Sequence, residues 1–322
     1  MADVHELLDT WIANVKDEEL LAELNTMKEQ GDEDAITDAF FQDLAFGTAG
    51  LRGTIGAGTN RMNIYTVGRA TQGFADYLNA TFEHPTVAIA RDSRNKGELF
   101  VKTTAAILAA NGVTALVYPK ISPVPTLSWA VRDLKCSGGI CMTASHNPAP
   151  YNGYKAYGPD GCRLPASADA ISKAIAETDT FTGVKSMDFD EALEQGLVKW
   201  IDDSCLERYY DAVLARGVTN LSAEEIAGAP LKLVYTPLNA PASFPSRRCS
   251  SALASPMSRL FPSRRSLTAI SRPARILTPR FARPCRRALT CASRFTLICC
   301  LQPILTPIAL ALPLRIAMTI CC

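Results

Sequence analysis

Apolar and polar positions along the first 240 residues recur with helical spacing in some stretches and as short strand-like runs in others. Val4, Leu7, Leu8, Trp11, Ile12, Val15, Leu20, Leu21 and Leu24 recur at helical spacing among many acids, and Asp3 stands where a cap belongs. The spacing predicts a helical N-terminal extension over residues 3–29 that packs on the following domain and takes no part in chemistry. Thr86–Ala90 reads as a buried strand, residues 97–111 as a helix closing at Asn111-Gly112, and Thr114–Tyr118 as the next strand. Strand, helix and strand of these lengths predict a parallel α/β sheet. Pro119–Pro125 reads as a turn, Thr126–Leu134 as a short helix and Gly138–Met142 as a further strand. Beyond it, Tyr157–Gly161 reads as a turn, Ser167–Glu177 as a helix, and residues 190–201 as a helix running into Val198–Ile201. Asp203–Ala215 reads as an amphipathic helix and Leu231–Tyr235 as one more buried strand.

Polar stretches between these elements carry the candidate chemistry. Thr143-Ala144-Ser145-His146-Asn147-Pro148 follows the Gly138–Met142 strand and reads as an exposed loop presenting the Ser145 hydroxyl. In open α/β sheets, ligands are met at the carboxyl ends of strands. A serine has little nucleophilicity of its own and needs a base, a metal or a phosphate already attached. Phe46–Asn60 reads as a loop rich in Gly and Thr around Arg52. Glycines let backbone approach an anion closely, and a guanidinium grips phosphate with a forked geometry. Arg91 and Arg94, after the Thr86–Ala90 strand, read more readily as braces of a loop than as substrate ligands. A serine hydrolase built on Ser145 and His146 is disfavoured, because adjacent residues rarely reach nucleophile–base geometry and no Asp stands to orient the imidazole.

Composition changes the picture in one region. The chain of 322 residues is long enough for two domains, and its net charge of +1 hides an asymmetry. All 32 Asp and Glu residues lie at or before Glu225, whereas residues 241–322 hold 13 Arg, 10 of the 20 Pro and 7 of the 11 Cys. Cys136, Cys141, Cys162 and Cys205 form no C-x-x-C pair, so neither a zinc site nor a disulfide framework is indicated in the first part. The N-terminus shows no basic segment followed by an apolar run, so no signal peptide is expected and a cytoplasmic location is. An Arg/Pro-rich tail suits nucleic acid electrostatically, but residues 241–322 contain no Lys. Pro303, Pro307, Pro313 and Arg315 interrupt the apolar run Thr296–Ile320 and argue against a membrane span. Neither nucleic acid nor membrane is expected as a partner. With ten prolines and no turn glycine, residues 241–322 are expected to form no coherent fold.

Phe46-Gly47-Thr48-Ala49-Gly50-Leu51-Arg52-Gly53, then Thr143–Pro148, then Tyr151-Asn152-Gly153-Tyr154-Lys155, in this order, resemble the α-D-phosphohexomutase family of phosphoglucomutases and phosphomannomutases. The resemblance is strongest to phosphoglucomutases with a long N-terminal helix, and it covers residues 1–239. It implies the family's α/β first domain over 1–205, with helices layered on a mixed, mainly parallel sheet, and the start of a second domain over 206–239. It further implies intramolecular phosphotransfer on a hexose phosphate, glucose 1-phosphate to glucose 6-phosphate, through a phosphoserine at Ser145 and a hexose bisphosphate. By the same resemblance Arg52 neutralises charge at the phosphoserine, and Lys155 is the general acid/base at the sugar hydroxyl. His146 and Asn147 would orient phosphate and substrate, and Mg2+ would bridge the Ser145 phosphate and three aspartates. The family's aspartate loop, sugar-reading Glu and fourth domain have no counterpart in this chain, so the polypeptide as written is expected to be inactive. A non-catalytic phosphosugar-binding remnant, or an unstable fragment, is the alternative.

The genetic code offers an account of residues 240–322. In the family, Thr-Pro-Leu-Asn is followed by Gly-Thr-Gly; those codons read one base late as GCA-CCG-GC give Ala-Pro-Ala, the residues at Ala240-Pro241-Ala242. Joining each codon's third base to the next two, Thr268–Pro273 permits Asp-Gly-Asp-Phe-Pro-Thr and Leu277–Arg280 permits Pro-Asn-Pro-Glu. Ile304–Ala309 likewise permits Asp-Pro-Asp-Ala-Asp-Arg, which resembles the family's metal loop. The tail is therefore expected to be an out-of-frame translation.

Overall fold

The computed structural model describes residues 3–47, 50–164 and 167–216, together with three short strands farther along the chain. The N-terminal region is three helices rather than one. Asp3 caps α1 (Val4–Asn14) by accepting from the His5 N–H, Asp17 caps α2 (Glu18–Gln30) through the Leu20 N–H, and Asp32 caps α3 (Glu33–Phe40) through the Ala35 N–H. The apolar spacing runs on past residue 15, but an aspartate that satisfies free N–H groups starts a new helix more effectively than it continues an old one. These helices enclose a small core of their own around Leu8, Trp11, Leu24, Ile36 and Phe40. The Trp11 ring meets Phe40, Tyr65 and Phe181 edge-on at centroid distances of 5.8, 5.7 and 5.5 Å, which joins that core to the domain.

The sheet has six strands in the order β1-β5-β4-β2-β3-β6. They are β1 (Gly50–Thr54), β2 (Thr86–Arg91), β3 (Thr114–Val117), β4 (Gly138–Met142), β5 (Tyr151–Tyr157) and β6 (Val198–Trp200). The run β4-β2-β3-β6 is parallel, β5 lies antiparallel to β4, and β1 antiparallel to β5. The expected mixed, mainly parallel sheet is present, and β2, α5 (Gly97–Ala110) and β3 form the expected strand–helix–strand unit. Four more helices complete the layers of this region: α4 (Ile64–Thr81), α6 (Val124–Asp133), α7 (Ala168–Glu177) and α8 (Phe189–Glu194), with α9 (Asp203–Ala215) following. The apolar side chains of β2 and β4 are fully buried between Phe74 and Leu78 of α4, Phe100 and Leu108 of α5, and Leu127 and Val131 of α6.

Two sequence expectations are corrected here. Residues 190–201 are not one helix: α8 ends at Glu194, Gly196 turns the chain at φ 70°, and Val198–Trp200 pairs with β3 as an edge strand. Phe46–Asn60 is not simply a glycine-rich loop, because Gly50–Thr54 is the opposite edge strand. A Cβ on Gly50 would lie 1.9 Å from the Tyr154 carbonyl oxygen, and its φ is +143°, so this glycine permits a close approach to β5 rather than to an anion.

The chain divides into two compact units, Met1–Cys205 and Leu206–Cys322. In the second, β7 (Leu233–Tyr235) is the middle strand of a parallel sheet with β8 (Arg259–Leu260) and β9 (Leu297–Cys299). The expectations for the remainder of residues 217–322 lie outside the described residues. Among the described residues, no helix is long and apolar enough to cross a membrane.

Candidate active site

Ser145 is carried three residues beyond the carboxyl end of β4, and Lys155 lies on the neighbouring strand β5. The antiparallel register sets Cys141 opposite Lys155, so the lysine side chain runs back along the sheet toward the loop. Its Nζ donates to Ser145 Oγ at 2.6 Å. The serine is exposed while the lysine is buried, at 9% of its accessible surface. Burial lowers the lysine's proton affinity from the ordinary value, Cys141 opposes that, and the Arg163 and Arg52 guanidiniums lower it further.

The serine loop is held in an unusual backbone state. Ser145 has φ 53°, in the left-handed region that a side-chain-bearing residue adopts only when its surroundings enforce it. Its N–H donates to Thr143 Oγ1 at 3.0 Å, and the Thr143 hydroxyl donates in turn to Asp92 Oδ2. Arg94, from the segment after β2, donates through Nη2 to the carbonyls of Ser145 (2.8 Å) and Asn147 (2.7 Å). Through Nη1 it donates to the carbonyls of Pro148 (3.0 Å) and Tyr151 (2.8 Å). Asp92 lies beneath with Oδ1 accepting from the Arg94 N–H at 3.0 Å and Oδ2 at 3.6 Å from Arg94 Nε. Burial pushes the Asp92 carboxyl above the usual carboxylate range, against the bonds from Thr143 and Arg94 that pull it down. Burial likewise lowers the Arg94 guanidinium from its usual value, with Asp92 opposing.

Of the residues singled out by sequence, the structure brings Ser145 and Lys155 into contact, and Arg52 Nη1 donates to Asn147 Oδ1 at 3.3 Å. His146 is exposed and makes no side-chain hydrogen bond among the described residues. The bracing expected of the arginine pair falls to Arg94 alone, because Arg91 turns away to Glu98 at 3.1 Å. Asp92 and Thr143 went unrecognised by sequence reasoning. The available signal was Arg91-Asp92-Ser93-Arg94 directly after a buried strand, a charged turn at the carboxyl end of the sheet.

Magnesium needs several hard oxygen ligands. No group of three His, Cys, Asp or Glu suited to a metal occurs among the described residues. Asp92, the carboxylate nearest the serine loop in these contacts, is committed to Thr143 and Arg94. The residues present do not fit the ion. A cavity of 290 Å³ lined by Trp11, Phe46, Arg69 and Ile175 shares no residue with this site.

The site is thus a serine at the end of a parallel strand, braced by a guanidinium and touched by a buried lysine, on a six-stranded mixed sheet. Residues 43–182 match the phosphoglucomutase/phosphomannomutase alpha/beta/alpha domain I. A phosphoglucomutase of Staphylococcus saprophyticus is 35% identical over 200 residues, covering 62% of this chain and 36% of the relative. A phosphoglucomutase of Staphylococcus haemolyticus is 35% identical over 236 residues, covering 72% of this chain and 40% of the relative. In fold, a phosphoglucomutase/phosphomannomutase family protein from Burkholderia thailandensis superimposes with a TM-score of 0.56 at 20% identity, over 76% of this chain and 49% of the other. These matches support the phosphohexomutase family for the first domain, over residues 43–182. The chain spans 36% and 40% of the length of those two curated relatives.

Proposed function

We propose that the site serves intramolecular phosphotransfer on a hexose phosphate, glucose 1-phosphate to glucose 6-phosphate, with Ser145 as the phosphoryl carrier and a hexose bisphosphate as intermediate. The observation that carries this reading is the 2.6 Å contact from Lys155 Nζ to Ser145 Oγ. In the forward half, a sugar hydroxyl oxygen bonds to phosphorus as the Ser145 Oγ–P bond breaks, and a neutral Lys155 amine takes the hydroxyl proton and hands it to the departing Ser145 Oγ. In the second half Ser145 Oγ bonds to the other phosphoryl group as its bond to the sugar oxygen breaks, and Lys155 takes the serine proton and gives it to that departing sugar oxygen. Burial, which favours the neutral amine, suits Lys155 to that exchange. Arg52 would face the charge on the transferring group, a reading its contact with Asn147 Oδ1 supports, and the exposed His146 would meet phosphate. Phosphoryl transfer of this kind depends on positioning and charge neutralisation more than on covalent chemistry.

The chain as written lacks part of that neutralisation. No Asp or Glu follows Glu225, and the described residues offer no metal carboxylate cluster. Loss of comparable electrostatic contacts slows catalysis by about 3–4 kcal/mol each, so no measurable turnover is expected from this polypeptide. The missing aspartates favour a second reading, a phosphosugar-binding remnant without catalysis. Assay of glucose 1-phosphate turnover with a bisphosphate primer, beside calorimetric titration of glucose 1-phosphate, separates the two. Turnover by this chain rejects the inactive assignment, and binding without turnover supports the remnant.

We further propose that residues 240–322 are read out of frame. Sequencing the coding DNA from codon 230 onward tests it. One missing base, or two extra, near codon 240 would restore Gly-Thr-Gly and an Asp-Pro-Asp-Ala-Asp-Arg loop. A continuous frame that restores nothing rejects the idea.

A further inference from the structure

We propose that Asp92, Thr143 and Arg94 are positioning residues that force Ser145 into its left-handed conformation and so hold its hydroxyl against Lys155. The tethers act on both sides of the serine Cα. On the amino side, the Ser145 N–H is fixed by Thr143 Oγ1 at 3.0 Å. That oxygen is aimed because its own proton is taken by Asp92 Oδ2, which leaves a lone pair toward Ser145. On the carboxyl side, one Arg94 nitrogen draws in the Ser145 and Asn147 carbonyls, and the other fixes Pro148 and Tyr151. A planar guanidinium suits this work, since its donors diverge at fixed angles. The assembly is built on the end of β2, the strand beside β4, and the Asp92 N–H is tied to the Met142 carbonyl at 3.2 Å. The loop is therefore anchored from a neighbouring strand rather than from its own. Were the φ of 53° intrinsic to the loop, none of these contacts would be required to maintain it.

The test uses the full chain with Thr143→Val, which keeps the shape and removes the hydroxyl, Thr143→Ser, which restores it, and Arg94→Lys. Arg94→Met is less useful, because it strands four carbonyls and the variant can fail to fold; Thr143→Val unpairs the Ser145 N–H and takes one donor from Asp92 Oδ2, which keeps Arg94 Nε at 3.6 Å. Crystal structures of the variants read the Ser145 φ and the Oγ–Nζ separation directly. A second arm follows phosphate appearing on Ser145, by peptide mass spectrometry, after addition of glucose 1,6-bisphosphate. This arm rests on the phosphoserine reading; the crystallographic arm does not. In Thr143→Val, Ser145 is expected to leave the left-handed region and lose contact with Lys155, while Thr143→Ser keeps both. Labelling at saturating bisphosphate should slow by roughly tenfold or more in Thr143→Val and Arg94→Lys, and return to within about twofold in Thr143→Ser. A Thr143→Val structure that keeps φ near the wild-type value, with the Lys155 contact intact, overturns the proposal. So does unchanged labelling. If the wild-type chain takes no phosphate, as the missing metal carboxylates would explain, the crystal structures alone decide the positioning role.

Discussion

At the Lys155 amine, burial and the guanidiniums of Arg163 and Arg52 all favour the neutral form, with Cys141 and Asp92 opposing. The neutral fraction therefore appears at a lower pH than for an exposed lysine, and is lost as pH falls through the lowered value. Trace acetylation of the full chain across pH, read by peptide mass spectrometry, should give Lys155 a midpoint below the ordinary lysine value of 10.5. The same shift has a consequence for stability. The unfolded lysine binds its proton more tightly than the folded one, so the wild-type chain gains stability as pH rises from the lowered value toward 10.5. Lys155→Met removes the buried charge. It should raise unfolding free energy at pH 7, with the gain shrinking toward pH 10, as urea titrations at both pH values would show. A Lys155 midpoint at or above 10.5 would contradict the burial argument. At this scale the sequence reported the contiguous motifs well. Ser145, Lys155 and Arg52 were legible because each stands inside an uninterrupted run of recognisable residues. The sequence marks Arg94 as a brace but not what it braces, and Asp92 and Thr143 not at all, because these contacts join positions more than 50 apart and a carbonyl has no letter in the sequence.

The elements differ in how plainly they announced themselves, and the reason is what covers them. Strands β2 and β4 are buried on both faces and appear as unbroken apolar runs. Helix α4 went unread although it is the longest of the described helices, since its buried stripe includes Gly68, Thr71, Gln72 and Gly73 among the apolar positions. Gly73 is pressed against Ile175 of α7, where a Cβ would come within 2.6 Å of the isoleucine side chain. Close helix packing there replaced the apolar signature that a sequence reader looks for. β1 was hidden for a related reason, its glycine serving the approach to β5. Gly50→Ala should accordingly separate β1 from β5 and destabilise the domain by about 1–3 kcal/mol, the range for an overfilled site. Thermal unfolding checks it, and an unchanged midpoint would show that the edge strand is dispensable. Trp11 tests the N-terminal helices in the opposite sense. Trp11→Ala empties a site 2% exposed and ringed by three aromatics, and should cost about 3–5 kcal/mol in chemical denaturation. A loss below about 1 kcal/mol would mean the helices are an appendage rather than part of the fold.

For the whole molecule, the first compact unit contains the entire six-stranded sheet, and the described residues of the core around it run from Phe46 to Val198. A chain ended after Arg216 should unfold cooperatively, with a midpoint within a few degrees of the corresponding transition in the full chain. Calorimetry of both would decide, and a shortened chain that melts without a cooperative peak would show dependence on later sequence. The contact between Ser145 and Lys155 closes over only ten residues, from one strand end across a tight loop to the next strand. By the time synthesis has reached Tyr157, five of the six strands and both reactive groups already exist. The pair is modular: one hairpin is enough to set the serine and its lysine side by side, so a change of sequence beyond Tyr157 alters what surrounds the two groups without separating the strands that carry them.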